Sequence, residues 1–142
     1  MSEPIALITS AMITEPDLSA LVIQAQGHVT PGAPLFGRIS RGESHIWIGL
    51  STEELGAVIE DEGEEYAARL ARLLGGLPRT DVTVEISRTK GSETLALEFA
   101  ILFSACWPTV VDDLAGHLLT RSDLLRRRAA GQGIRAFAAT SL

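Results

Sequence analysis

Between Gly91 and Pro108 the chain carries apolar residues on almost every side of a helical wheel: Leu95, Leu97, Phe99, Ile101, Leu102, Phe103 and Cys106. Gly91-Ser92 reads as the cap that opens this helix, and Pro108 stops it after Trp107. A helix that is apolar all round has no face to give to water, so it belongs at the buried centre of a fold. Its longest apolar run, Leu95 to Trp107, is interrupted by Glu98 and Ser104. That run falls short of the roughly 20 residues a bilayer span requires. The expectation is therefore a central buried helix in a soluble protein with no membrane partner.

The rest of the pattern supplies what surrounds that helix. Val82, Val84 and Ile86 alternate with Thr83, Glu85 and Ser87, which predicts a strand buried on one face. Ile5 to Ile8 reads as a first strand. Leu35–Ser40 and His45–Leu50 flank Arg41-Gly42-Glu43 as a hairpin, with Ile46 and Ile48 on one side and His45, Trp47 and Gly49 on the other. Thr109–Leu114 and His117–Thr120 read as a second hairpin turning at Ala115-Gly116. Thr14 and Pro16 open a helix carrying Leu18, Leu21, Val22 and Ala25, although Ala20–Gln26 also alternates well enough for a strand. Ser51 caps a helix with Leu55, Val58 and Ile59 on its buried side, and Gly63 breaks or kinks it. Glu64–Leu74 forms the next helix, ended by Gly75-Gly76, and Asp123–Ala130 the last, capped by Thr120 or Ser122. Gly27–Pro34 reads as a loop, and the tail from Gly131 as irregular chain. Hairpins mixed with helices predict a single α+β domain over residues 1–142, a mostly antiparallel sheet packed with helices.

Composition removes several function classes. Cys106 is the only cysteine, so no intrachain disulfide forms, and its apolar neighbours predict a buried structural thiol. His28, His45 and His117 show no metal-ligand spacing, and no cofactor or metal is expected. The phosphate loop, the dinucleotide glycine pattern, His-Glu-x-x-His and Gly-x-Ser-x-Gly are all absent. The start, Met1-Ser2-Glu3-Pro4, is acidic and unlike a signal peptide, which with the lone cysteine predicts cytoplasmic residence.

The net charge of −6 is unevenly spread. Residues 1–65 hold eleven acids against Arg38 and Arg41, or −9, and residues 66–142 hold ten bases against seven acids, or +3. Overall acidity argues against a nucleic-acid partner, which requires a basic face. Arg121 and Arg126–Arg128 fit a solvated terminal helix whose bases complement its dipole. Seven acids fall between Ser51 and Glu65 with no base among them: Glu53, Glu54, Glu60, Asp61, Glu62, Glu64 and Glu65. Glu53 and Glu54 suit a helix start. The others are either a solvated face or a docking patch for a basic partner, with Trp47 and Tyr66 as candidate aromatic anchors if exposed.

Asp112, Asp113 and His117 are the candidates for carboxylate chemistry. On a strand the two carboxylates face opposite ways, so they cannot serve one ligand together, and either one suits a turn at Ala115-Gly116. They keep open the alternative of a small enzyme or ligand-binding domain. A third possibility is a subunit that self-associates through a sheet edge or its helices.

Trp107-Pro108-Thr109-Val110-Val111-Asp112-Asp113-Leu114-Ala115-Gly116, followed by Arg121-Ser122-Asp123-Leu124, resembles the C-terminal part of small bacterial proteins associated with interbacterial toxin systems as immunity proteins. The resemblance covers about the last third of the chain and transfers no binding residues. It implies a stoichiometric, non-enzymatic inhibitor of a cognate toxin. In that reading the acidic run meets a basic cleft on the toxin.

Overall fold

The computed structural model describes residues 2–51 and 63–135. The helix expected after Ser51, and with it Glu53, Glu54, Glu60, Asp61 and Glu62, lies outside the described residues.

β1 (Ser2–Thr9) and β5 (Thr80–Ser87) form the middle of a sheet and pair antiparallel along their whole length; β5 alternates strictly, whereas β1 is buried on both faces at Leu7 and Ile8. β4 (Ser44–Leu50) and β3 (Gly37–Arg41) extend the sheet from β5, with β2 (His28–Val29) at that edge. β6 (Thr109–Asp112) and β7 (Leu118–Leu119) extend it from β1. The spatial order is β2-β3-β4-β5-β1-β6-β7, and every pairing is antiparallel. The protein is α+β. β2 sits inside the segment expected to be a loop. Two residues beside Gly27 give no periodic signal, and they pair only because β3 is already in place.

Register sorts the side chains onto two faces. On the first, Ile5 lies opposite Val84, Leu7 opposite Val82 and Val111, Ile48 opposite Val84, and Ile46 opposite Ile39 and Ile86. This face is covered by α1 (Glu15–Gln24), α3 (Ser92–Cys106) and α4 (Arg121–Ala129), and together they form the main core. α3 is the predicted central helix: Leu95, Ala96, Leu97, Phe99, Ala100, Ile101 and Phe103 are buried. Helix α1 is confirmed as a helix. Thr14 and Asp17 form a reciprocal capping box with Pro16 in the first turn, and Thr120 and Asp123 repeat the device on α4.

One local expectation is corrected and two are refined. Gly91-Ser92 opens α3 as expected. Gly91 is the cap residue, without a side-chain bond, and the buried Ser92 hydroxyl accepts the His45 N–H at 3.0 Å, tying β4 to the helix. Cys106 is exposed, because it is the last residue of α3 and the final turn emerges from the core. Residues 132–135, the described part of the tail, are irregular as expected, yet Ile134 is fully buried and donates its N–H to the Glu93 carbonyl at 3.1 Å.

The second face carries Ala6, Ile8, Val110, Asp112 and Leu118 at one end and His45, Trp47 and Glu85 at the other. Among the described residues, α2 (Glu64–Leu74) lies over the first end, where Leu70 and Leu74 pack on Ile8 and Val110. The helix ends at Gly75 in the left-handed conformation, as its sequence predicts. The loop before β3 is held against β4 at Gly49, where any Cβ would sit 2.1 Å from the Pro34 carbonyl oxygen.

Candidate functional site

The partly covered second face gathers the described members of the expected binding surface. Glu64 and Glu65 open α2 and are exposed. They complement the positive end of the helix dipole, and neither joins an ion pair among the described residues. Tyr66 follows, half-buried, and its hydroxyl donates to Asp112 Oδ2 at 2.6 Å. That bond ties α2 to β6. The small cluster that includes Tyr66, Ile8, Leu70, Leu74 and Val110 holds the helix down beneath it.

Between α2 and the β6–β7 hairpin opens a cleft of about 550 Å³, lined among others by Glu65, Tyr66, Arg69, Asp112, Leu114 and Leu118. A second cleft of about 400 Å³ lies on the same face, with Pro4, Ala6, Leu35, Leu50 and Thr83 in its walls, and it shares Leu114. Leu114 is 58% exposed and Leu35 is 39% exposed, so both present apolar surface to solvent.

Trp47 is half-buried on this face rather than a fully exposed anchor. It stands between Arg38 and Glu85 on the neighbouring strands. Its ring stacks on His45, with centroids 6.1 Å apart and planes at 28°. His45 Nδ1 is 2.8 Å from Ser40 Oγ. The expectation that His45 and Trp47 share a face is met, and the pair gives the sheet an aromatic strip.

Asp112, Asp113 and His117 do not converge on one point. Asp112 faces the cleft under α2, where its other oxygen accepts the Leu114 N–H at 2.8 Å. Asp113 is 1% exposed. Its Oδ1 accepts the N–H groups of Ala115 at 2.8 Å and His117 at 3.0 Å, and its Oδ2 lies 2.9 Å from His117 Nδ1. A carboxylate bonded to the backbone two and four residues ahead builds a turn. The two aspartates fix the hairpin tip between β6 and β7, which is the turn-building role open to them in the sequence. Among the described residues, no three His, Cys, Asp or Glu side chains are grouped to hold a metal ion. No helix among them is long and apolar enough to cross a membrane.

Three arginines of the last helix have structural work. Arg121 donates to the Ile101 carbonyl at 3.0 Å and closes the C-terminal end of α3. Arg126 pairs with Asp123 at 3.1 Å, and Arg127 bonds the Ile134 carbonyl. Arg135 ties the end of the described chain to Glu3 and the Pro4 carbonyl, with Glu93 3.6 Å away. Burial pushes the Glu93 carboxyl above its ordinary range; Arg135 opposes that rise and Glu3 adds to it.

Sequence reasoning missed the Tyr66–Asp112 bond and the cleft it borders. No local pattern signals a contact between residues 46 positions apart. Compared with known proteins, the chain matches no family model, no curated protein and no solved structure.

Proposed function

We propose that this chain is an immunity-type binding protein that neutralises a cognate bacterial toxin by docking over its active site through an acidic surface. One observation carries the reading. Glu64 and Glu65, both exposed and outside any ion pair among the described residues, open α2 beside a cleft lined by Glu65 and Asp112. Exposed anions beside an unfilled concavity suit a partner with a basic binding face. The acids from Glu53 to Glu62 precede this corner in the chain and add to its charge in this reading. Complementary charge speeds encounter and fixes orientation, while apolar contacts supply most of the affinity.

The test uses the purified product of the gene beside the one encoding this chain. The parent chain is expected to bind that protein and to protect cells that express it. Glu64→Gln with Glu65→Gln should slow association several-fold and flatten its dependence on ionic strength. Unchanged association kinetics in the double variant would remove the acidic corner from the interface. No binding by the parent chain would overturn the reading.

A further inference from the structure

Leu114 is in an unfavourable conformation with nothing local to require a leucine there. Its φ is +58°, in the left-handed region where a Cβ crowds the carbonyl and a branched side chain rarely sits. It is also 58% exposed, so burial does not repay that conformation. The turn does not require this side chain, since Asp112 and Asp113 bond the backbone N–H groups of Leu114 and Ala115. Asparagine or glycine would keep those bonds and suit the φ better. Gln26, the other non-glycine residue with positive φ among those described, sits just past the end of α1, where chains commonly turn left-handed. Backbone strain kept on an exposed side chain points to a use for that side chain outside the fold.

Its surroundings point to the use. Leu114 stands where the two clefts of the second face meet. Asp112 and Glu65 line the nearer one, Glu64 adjoins, and Arg69 is the one cation among the described lining residues. We infer that Leu114 is the anchor of a protein–protein interface, a knob that enters an apolar pocket rimmed by Lys or Arg on the partner. An apolar centre inside a charged rim is the usual arrangement of an interface hot spot. The excess of anions selects a partner with a basic rim. It disfavours a second copy of this chain, which would set carboxylate against carboxylate. The inference rests on the binding role proposed above and assigns its anchor.

The experiment compares the parent with Leu114→Asn and Leu114→Gly in two measurements. Both variants should melt within about 3 °C of the parent or above it, since a side chain mostly in water is lost and the turn conformation is relieved. Both should bind the purified neighbouring-gene product at least tenfold more weakly, mainly through faster dissociation. If the parent binds and both variants bind equally well, Leu114 is not the anchor, while the binding role stands. If both variants melt far below the parent, Leu114 serves the fold, and the inference fails. If the parent chain sediments as a dimer and Leu114→Asn as a monomer, the partner is a second copy, and the basic-rim assignment is overturned. If the parent does not bind, the binding role falls and this inference falls with it.

Discussion

The two faces of the sheet differ in how they are closed. On one, three helices bury Ile5, Leu7, Ile46, Ile48, Val82, Val84 and Ile86 against Leu18, Phe99, Phe103 and Leu124 in a continuous core. On the other, among the described residues, α2 rests on a small cluster whose buried members are Ile8, Leu70, Leu74 and Val110. Among the described residues, the first face supplies most of the buried apolar side chains and so most of their driving force for folding. That leaves the second face free to keep features that cost stability: open clefts, a half-buried aromatic strip and a leucine in left-handed backbone. Proteins commonly place such costs where binding occurs, on a scaffold that carries the stability elsewhere.

Cavity-creating substitutions test this division most strongly. Phe103→Ala, in the first-face core, should cost about 3–5 kcal/mol in a denaturant titration. Leu70→Ala, under α2, should cost about 2–3 kcal/mol, because a small cluster at the rim collapses more readily around a cavity. Hydrogen exchange should then rise in α2 and β6 while α3 and β5 stay protected. Equal costs with global loss of protection would show that the two faces form one cooperative core.

A smaller effect separates the hairpins. Asp113→Ala leaves the Ala115 and His117 N–H groups without their acceptor and should cost about 1–3 kcal/mol. The β3–β4 hairpin turns separately through Gly42, whose φ is +59°. Its exchange rates should therefore be unaffected by that change.

The smallest expected effect is in pH. Partial burial raises the Asp123 carboxyl, but bonds from the Thr120 N–H and hydroxyl, with the charges of Arg126 and Arg127, outweigh it and hold the group below its ordinary 3.8. Asp17 is lowered in the same direction by the Thr14 backbone N–H, then by its hydroxyl. A carboxyl with a depressed folded-state value adds stability that is complete above its unfolded value and lost as pH falls through the folded one. Glu93 is raised above 4.5, so its ionised form weakens the fold until pH falls through its folded value. Melting temperature should therefore gain slightly as Glu93 protonates, above pH 4.5, and fall below pH 3.8. Glu93→Gln should abolish the gain and Thr120→Ala should shrink the fall. A monotonic curve unchanged by either variant would refute the assignment.

Much of this was legible from local pattern, because local pattern is where the physics of strands and caps acts. Strict alternation from Val82 to Ile86 specified β5 and its buried side, and the Thr14 and Thr120 capping boxes need only residues three apart. The all-round apolar stretch placed α3 at the centre, since no other position satisfies it. The same reading failed at Cys106, where it took apolar neighbours for burial; position in the last helical turn, not composition, sets exposure there.

By itself the sequence determined the α+β class, the hairpins and the central helix, because periodicity, turns and caps act over a few residues. Only the tertiary structure decided that Tyr66 meets Asp112, that Ile134 returns to the core, and that Glu65 and Leu114 border one cleft. Those pairings join segments distant in the chain. They are settled by how strand order and register stack the faces, which no local window of residues contains.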